Sequence, residues 1–353
     1  MRTLKFTIYS FENLDVNAWK ILESQAQFLS VFQTYSWARV LKSIGIEPKF
    51  FIVMSKDSPL LGLLMFKSDL VLGVLSAYEA IGGPLVPPGV DEDIFPFFAS
   101  SLKGLMKRKG LLYFYWMPSY SLNLESHLLG EGFLPIPSAT FVVDLNHPVE
   151  TLWKNLSKNA RWGVKKAKKM NVTVSEAKSW DDWRSYYRIY VYENNEKGIR
   201  SRSLNLHKSM FRHLLPDTSV RLLVAKHHGK IIAGSLFLVT PHEMMYYESA
   251  SNARYRNLQP NNITQWHAIL WAKEHGVKYY DLGGSLWKPE EEHQLYGVHV
   301  FKSGWGGNFC RYNSFALNKL YFTGRSFFLR SRKMQRLYYA LEGLGAIKRF
   351  DRI

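Results

Sequence analysis

The sequence predicts an α/β protein with α+β character, built from two similar domains in tandem. The main observation is an order of elements that occurs twice, offset by roughly 165 residues. In each half the order is a helix, a β-hairpin, a third strand, another helix, a glycine and a further strand. The length of 353 residues also favours two domains over one large core. We therefore expect two mixed central sheets, each flanked by helices.

In the first half, turn and stop signals delimit the elements. A Lys-Asp-Ser-Pro turn joins two apolar runs into a hairpin, acidic residues from Asp91 favour a helix start, and Gly110 ends that helix. The predicted elements are helical segments within Glu12–Ile44, hairpin strands Phe50–Met54 and Leu60–Lys67, a third strand ending at Ile81, helix Asp91–Arg108 and strand Leu111–Trp116.

The second half has the same kinds of signal. His228-Gly229 marks a hairpin turn, and Gly276 ends an amphipathic helix. The predicted elements are helices Trp180–Asn195 and Ser203–Leu215, hairpin strands Val220–Lys226 and Lys230–Val239, strand Glu243–Ser249, helix Ile263–His275 and strand Val277–Leu282. This order resembles the Gcn5-related N-acyltransferase (GNAT) module, so we expect two GNAT-like domains.

We place the boundary at His147-Pro148, which gives domains 1–148 and 149–317 and a basic amphipathic tail, 318–353. A basic helix, Thr151–Met170, follows the boundary. Basic stripes of this kind are usually solvated helix faces. The net charge of the chain makes an anion-binding role for this helix an equal alternative, with Arg161 as a candidate contact.

Charge and cysteine content restrict the class of protein. The net charge is +17 and the pI about 9.7, which favours anionic partners such as nucleic acid, acidic lipid or phosphorylated molecules. The one cysteine, Cys310, excludes an internal disulfide and is typical of a reducing compartment. There is no apolar signal segment, and no run approaches the roughly 20 apolar residues of a membrane helix. These features predict a cytoplasmic protein.

The familiar catalytic motifs are absent from the sequence. It contains no HExxH, GxSxG or P-loop motif, and no metal site is predicted. A CoA-binding GNAT domain needs a glycine-rich loop before the helix that follows its fourth strand, because backbone N–H groups there bind the pyrophosphate. The corresponding segment, Asn252–Ile263, has no glycine, and Pro260 removes one donor. Acyl-CoA is therefore disfavoured as a donor.

The stretch from Tyr279 to Asn308 contains the best candidate site. A strand ends at Gly283-Gly284, an acidic loop follows, and a short apolar run then brings Lys302 next to a glycine-rich turn. Asp281, at the end of the strand, is a second candidate, since it could orient an amine or Lys302; a role as a turn residue is equally expected for it.

Several ordered motifs resemble the FemABX family of aminoacyl-tRNA-dependent peptidyltransferases. They run from about Phe28 to Asn308 and end in a Tyr-Asp-Leu-Gly-Gly sequence followed by Phe-Lys. The matching positions are Gln33, Trp37-Ala38, Ser157-Lys158, Gly198-Ile199 with Arg202, Gln265-Trp266, Trp271-Ala272, Tyr280–Gly284, Tyr296 and Val300–Lys302. Family members attach amino acids to peptidoglycan precursors and consist of two GNAT-like domains.

The resemblance implies roles for particular residues. Lys302 is implicated in the transfer step, and Arg202 in binding a phosphate-bearing precursor. The basic residue expected four positions after Trp37 is Leu41 here, which leaves Lys42 or Arg39 as substitutes. The remaining candidates for substrate contact lie around the lysine: Tyr280, Phe301, Gly283 and Gly284.

The implied reaction is aminolysis of an aminoacyl ester, with aminoacyl-tRNA as co-substrate, no cofactor and an amine of an anionic envelope precursor as acceptor. A cation near the carbonyl oxygen, Lys302, stabilises the transition state. The alternatives are an N-acyltransferase that uses acyl-CoA or acyl carrier protein, and a non-catalytic module that binds RNA or membranes. For the basic tail we favour contact with the inner membrane face or tRNA over packing. Nothing in the sequence indicates an oligomeric state.

Overall fold

The structure, a computed structural model, describes residues 4–56, 58–71, 75–108, 113–117, 124–293 and 295–317. Its contacts divide the chain into two units. Unit 1 contains the chain up to Pro137 together with the described residues from Tyr312 onward, and unit 2 is Ser138–Arg311. The predicted basic tail, 318–353, lies outside the described residues.

Unit 1 contains a strand order that the hairpin signals largely anticipate. Four strands form an antiparallel meander, the fifth runs parallel to the fourth, and the end of the last described strand pairs antiparallel with the fifth. Its core includes Phe51, Leu63 and Phe98. The elements are β1 (Leu4–Ser10), α1 (Val16–Gln25), a 3-10 helix (Val31–Gln33), α2 (Tyr35–Ser43), β2 (Pro48–Ser55), β3 (Ser58–Val71), β4 (Leu75–Ile81), α3 (Ile94–Arg108), β5 (Tyr113–Met117) and α4 (Glu125–Gly130).

Unit 2 repeats that strand order, with a strand from earlier in the chain as its sixth member. The elements from here to the end of the described chain are β6 (Leu134–Asp144), α5 (Val149–Asn155), α6 (Lys158–Lys169), β7 (Thr173–Glu176), α7 (Trp180–Glu196), α8 (Leu204–His213), β8 (Val220–His227), β9 (Lys230–Val239), β10 (Glu243–Ser251), a 3-10 helix (Ala253–Leu258), α9 (Pro260–Glu274), β11 (Tyr279–Asp281), α10 (Tyr296–Ser303) and β12 (Asn308–Leu317).

The strands of unit 2 again form a meander, β7 to β10, followed by β11 parallel to β10 and β6 antiparallel to β11. The predicted fold class, two tandem α/β domains with mixed sheets, is thus confirmed. The division at Pro137 comes earlier than the predicted Pro148. The physical reason is that β6, which precedes the predicted boundary in the chain, pairs with β11 of the second unit.

Helices cover both faces of the unit 2 sheet. Consecutive residues of a strand point to opposite faces. On β9, Gly234 closely approaches Tyr186 of α7, whereas the Ser235 hydroxyl hydrogen bonds that of Thr264 on α9. Therefore α7 packs on one face and α9 on the other, and their core residues include Trp183 and Trp266, respectively.

Two predicted features differ from the structure. The basic helix expected over Thr151–Met170 is two helices, α5 and α6, because the Ser157 hydroxyl accepts the Ala160 N–H at 3.1 Å and caps a new helix start. The apolar run before Lys302 is a short helix, α10, with Val298 and Val300 exposed. Five further elements were not predicted: β1, α4, β7, β12 and the 3-10 helix Ala253–Leu258.

Candidate functional site

A bulge in β10 organises the candidate site. β10 and β11 pair in parallel over only three residues, Glu243–Met245 with Tyr279–Asp281, and β10 then continues to Ser251. Tyr246 aligns with Phe237 of β9, but the next aligned pair is Glu248 with Leu236, so that Tyr247 is the extra residue. Because Phe237 and Leu236 point to opposite faces, Tyr246 faces α9 and Glu248 faces α7.

Lys302 lies on the α9 side of this strand. Its side chain is buried, and the ammonium donates to the Gly284 carbonyl at 2.7 Å and lies 5.9 Å from the centroid of the Tyr246 ring. Burial lowers the pKa of Lys302 from 10.5 to about 8, against the opposing attraction of Asp281. Lys302 is therefore a desolvated amine that still carries its charge at neutral pH.

Asp281 is close to Lys302 but is used by its own turn. Its carboxylate accepts a short hydrogen bond from the Thr140 hydroxyl and another from the Gly283 N–H at 2.7 Å. The side chains of Asp281 and Lys302 do not form an ion pair within 4.0 Å. Burial raises the pKa of Asp281, opposed by these hydrogen bonds and by Lys302. Asp281 therefore orders the turn whose next residues contact the lysine.

The two glycines of this turn have different roles. Gly283 has a φ of +72°, and a Cβ there would lie 2.9 Å from the Tyr246 carbonyl oxygen, so only glycine fits without a backbone shift. A Cβ at Gly284 would meet nothing within 4 Å. Gly283 therefore allows the turn to approach β10, and Gly284 contributes its carbonyl to Lys302.

Two of the residues predicted to touch substrate belong to the core. Tyr280 is fully buried, and its hydroxyl donates to the Gln265 side chain. Phe301 is half-buried and packs edge-on against the buried Trp305. Both side chains therefore contribute to the core of unit 2. We define the Lys302 site as Lys302, Asp281, Gly283, Gly284 and Tyr246.

Arg202 lies in a second polar group, on the α7 side of β10. Its Nη1 is 3.5 Å from Oε2 of Glu248, its guanidinium lies 4.5 Å from the centroid of the Tyr247 ring, and its side chain is 30% exposed. On the other side of Glu248, Nε2 of His207 is 2.6 Å from Oε1. We call Arg202, His207 and Glu248 the charge cluster.

His207 carries two protons in this cluster. Its Nδ1 is 3.0 Å from the Ser203 carbonyl, which can only accept, so Nδ1 is a donor. Its Nε2 faces the Glu248 carboxylate. Burial lowers the pKa of His207, but attraction to Glu248 outweighs burial and raises it overall. Burial raises the pKa of Glu248, and the two cations outweigh it and lower it overall. Two cations thus share one buried carboxylate.

The remaining predicted contacts lie elsewhere. Nη1 of Arg161 donates to the carbonyls of Lys154 and Leu156 and so completes the end of α5. Lys42 is bound to the carboxylates of Glu12 and Glu47, and Arg39 is exposed on α2. Both belong to unit 1, whereas the Lys302 site and the charge cluster belong to unit 2.

Sequence reasoning missed Thr140, Tyr246, His207 and Glu248. One signal was available: Glu248 is a charged residue inside a predicted strand, which indicates a partner. Across the described ranges, no group of three His, Cys, Asp or Glu side chains is placed to hold a metal ion. Within the same ranges, no helix is long and apolar enough to cross a membrane.

The loop after β10 differs from a phosphate cradle. It forms a 3-10 helix, Ala253–Leu258, and Gln259 then adopts a left-handed conformation before α9 begins at Pro260. Proline supplies no N–H at the first position of the helix, and the Asn262 N–H already donates to the Gln259 carbonyl at 3.1 Å. Two positions of the first turn therefore offer no free backbone donor to a pyrophosphate group.

Comparisons with known proteins agree with this fold. Residues 154–295 match the family model described as an acetyltransferase (GNAT) domain. Among solved structures, FemX superposes with a TM-score of 0.73 at 14% identity, covering 90% of this chain and 99% of that one. The C-terminal domain of a putative lysylphosphatidylglycerol synthetase from Agrobacterium fabrum gives 0.60 at 15% identity, covering 89% and 94%. At these identities the likeness shows the fold.

Relatives found by sequence indicate more narrowly which proteins this chain resembles. The lipid II:glycine glycyltransferase of Staphylococcus haemolyticus is 36% identical over 85 residues, which are 24% of this chain and 20% of that protein. The same-named protein of Staphylococcus saprophyticus is 34% identical over 92 residues, 26% and 22% of the two chains. The chain thus spans about one fifth of the length of these relatives.

The chain accordingly carries a domain of the GNAT fold, as predicted. The resemblance to the FemABX family that its motifs indicated is also confirmed, by relatives named as glycyltransferases and by the structural likeness to FemX.

Proposed function

We propose that this protein transfers an aminoacyl group from aminoacyl-tRNA to an amine of a peptidoglycan-type envelope precursor. The observation that carries the proposal is Lys302, a buried and weakly paired ammonium at the end of the β10–β11 pairing. The names of the sequence relatives, lipid II:glycine glycyltransferases, support an envelope precursor as acceptor.

Aminolysis of an ester suits this arrangement. The acceptor nitrogen attacks the carbonyl carbon, negative charge develops on the carbonyl oxygen, and the bond to the ribose oxygen then breaks. The ribose oxygen leaves with a proton, and the nitrogen gives up a proton as the amide forms. An ammonium in a water-poor site stabilises the oxyanion more than the ground state, because few solvent dipoles screen it.

The loop after β10 supports tRNA rather than acyl-CoA as the donor, with no cofactor. It lacks the glycines of a pyrophosphate cradle, and Pro260 removes one of the N–H donors at the helix start. An aminoacyl ester is already activated and needs no protein nucleophile, so that positioning and oxyanion stabilisation are sufficient.

Arg202 is the candidate contact for the phosphate of the acceptor. Its side chain remains partly exposed while contacts with Glu248 and Tyr247 fix its orientation. This arrangement is expected of an arginine that binds an anion. Lys42 and Arg39 stay candidates for the same ligand.

A donor test checks the proposal. The protein is incubated with labelled aminoacyl-tRNA or labelled acyl-CoA, with and without a lipid-linked peptidoglycan precursor, and transfer of the label is measured. We expect transfer from aminoacyl-tRNA that depends on the precursor. Consumption of acyl-CoA instead would favour an N-acyltransferase.

The matched variant is Lys302→Met, which keeps an apolar stem of the same length and removes the ammonium group. We expect turnover to fall about 10²- to 10³-fold, the usual cost of losing one oxyanion contact. Affinity for tRNA should be unchanged. Unchanged turnover would refute the catalytic assignment, and absence of transfer by the wild type with all donors would leave a non-catalytic binding protein.

A further inference from the structure

The outward face of α6 combines lysines with an exposed tryptophan. Lys158, Lys165 and Lys169 are exposed, Lys166 is partly exposed, and Trp162 is 55% exposed in the middle of them. At 3.6 residues per turn these five residues fall on one side of the helix. We call them the α6 face. Neither α6 nor the 3-10 helix that it contacts contains an acidic residue.

The opposite side of α6 is already buried. Ala160, Val164 and Ala167 pack into the core of unit 2, and Gly163 allows α6 to approach Asn262 of α9. A helix that lies in a lipid surface inserts a broad apolar face. Here that face is used for packing, and the exposed side offers one aromatic ring. This arrangement disfavours a lipid partner.

The dimensions of the α6 face suit a polyanion. From Lys158 to Lys169 the helix rises about 16 Å, which is longer than a single diphosphate and comparable with several consecutive nucleotide phosphates. Trp162 has its ring within 4.8 Å of the Lys166 ammonium. Lysines that contact phosphates around an aromatic ring that stacks on a base are the usual elements of RNA binding.

The start of α6 is attached to the turn after Lys302. The Ser157 N–H donates to the Gly304 carbonyl at 2.9 Å, and a Cβ on Gly304 would lie 2.9 Å from the Ser157 hydroxyl. Trp162 comes five residues after Ser157, which is about 8 Å along the helix axis. A nucleic-acid strand bound along α6 would therefore have one end close to the segment that carries Lys302.

We propose that the α6 face binds RNA, with its lysines on successive phosphates and Trp162 stacked on a base. The inference deepens the function proposed above, because it assigns the surface that receives the RNA part of the donor. It rests on that function only for the identity of the RNA as tRNA.

The test measures binding of fluorescently labelled deacylated tRNA by anisotropy between 50 and 200 mM salt, conditions in which phosphate contacts dominate affinity. The variant is Lys158→Gln/Lys165→Gln/Lys169→Gln. Its matched control is Lys178→Gln/Lys208→Gln/Lys230→Gln, three exposed lysines of the same unit that lie outside α6. Both triple variants lose the same charge, and circular dichroism checks that both retain their helices.

We expect the α6 variant to bind at least about tenfold more weakly, with the slope of log affinity against log salt reduced by about two. The control should change little. Trp162→Ala should weaken binding about tenfold at all salt concentrations. Equal losses in the two triple variants would overturn the proposal, as would wild-type affinity in the α6 variant.

Vesicles containing phosphatidylglycerol provide the lipid comparison. If Trp162→Ala abolished vesicle binding but not tRNA binding, the face would be a lipid surface and the proposal would be wrong. The outcome is also separable from the proposed function. If tRNA binding depends on α6 while no aminoacyl transfer occurs, the RNA surface stands and the enzymatic proposal fails. If transfer occurs with an unchanged KM for tRNA in the α6 variant, the opposite holds.

Discussion

The Lys302 site and the charge cluster lie against opposite faces of one strand and treat buried charge in opposite ways. In the charge cluster, one carboxylate is held between two cations, and its Oε1 also accepts the Tyr186 hydroxyl at 3.2 Å. In the Lys302 site, the ammonium has one carbonyl at hydrogen-bond distance, and no carboxylate of the described residues lies within 4.0 Å of it.

The two arrangements have different physical consequences. A buried charge with good partners contributes to holding the structure, and its removal leaves the partners uncompensated. A buried charge with few partners costs stability and is available to a ligand, which is the pattern expected of catalytic groups. The predictions below test this contrast by removing charge from each side of β10.

The largest effect is expected for Glu248→Gln, which removes the anion of the charge cluster at constant size. The buried His207 and the partly buried Arg202 would then have no counter-charge, and we expect a loss of about 3–5 kcal/mol in the free energy of unfolding. Urea unfolding at pH 7 measures the loss. Glu12→Gln, in the exposed pair with Lys42, is the control and should leave the unfolding free energy unchanged within error.

For Lys302→Met we expect the free energy of unfolding to increase and not to decrease. The folded protein holds the lysine with a pKa of about 8 instead of 10.5, so it must bury a charge below pH 8. That cost is about 3 kcal/mol at most, is fully present below pH 8 and is relieved as the pH rises to 10.5, because the unfolded chain then binds more protons than the folded one.

Unfolding measured from pH 7 to 10 should therefore show the variant as more stable than the wild type at pH 7, with a gap that closes at high pH. The elevated pKa of His207 gives the reverse trend: its stabilisation is present below pH 6.5 and is lost as the pH rises through the folded pKa. If Lys302→Met were less stable than the wild type at pH 7, Lys302 would be a structural residue.

Gly283→Ala sharpens the comparison at the level of the backbone. Its Cβ would meet the Tyr246 carbonyl, and its positive φ is unfavourable for alanine, so we expect a loss of about 2 kcal/mol and displacement of the Gly284 carbonyl from Lys302. Transfer activity should fall with it. Gly284→Ala, with open space around its Cβ, is the control and should be nearly neutral in both measurements. Equal effects would show that the turn does not require the close approach.

The smallest effect is expected in the pH profile of transfer. If the charged form of Lys302 stabilises the oxyanion, its contribution should decline as the pH rises through about 8, by about tenfold at pH 9. Lys302→Arg keeps its charge over this range. The ratio of wild-type to Lys302→Arg activity cancels the titration of the acceptor amine and should fall above pH 8. A ratio that rises would indicate a neutral lysine acting as a base.

The sequence predicted the elements with strong local signals. The hairpin formed by β8 and β9 agrees at every predicted boundary except the last residue of β8, because a His-Gly turn separates two apolar runs. The sequence did not predict α10. Gly297 interrupts its apolar run, and valines that suggest a strand are exposed on a short helix that tertiary contacts stabilise.

The site was predicted in part, for a similar reason. Asp281, Gly283 and Gly284 share one turn that their sequence indicates, and Lys302 follows on α10 in the same stretch of the chain. The charge cluster joins a loop, a helix and a strand, and no local pattern links His207 to Glu248. The bulge at Tyr247 was also invisible, because it depends on register with β9 rather than on residue type.

The hydrogen bond from Thr140 to Asp281 joins residues separated by 141 positions in the chain. At the usual speed of translation, on the order of ten seconds pass between the synthesis of these two residues. The Ser157 N–H likewise has its partner, the Gly304 carbonyl, only after Gly304 has been synthesised. The surroundings of Lys302 are thus among the last parts of unit 2 to assemble on the ribosome, after the meander and its two helical layers. A nascent chain that has folded β7 to β10 therefore still lacks the Lys302 site, which is complete only when the final segment of the unit has packed onto it.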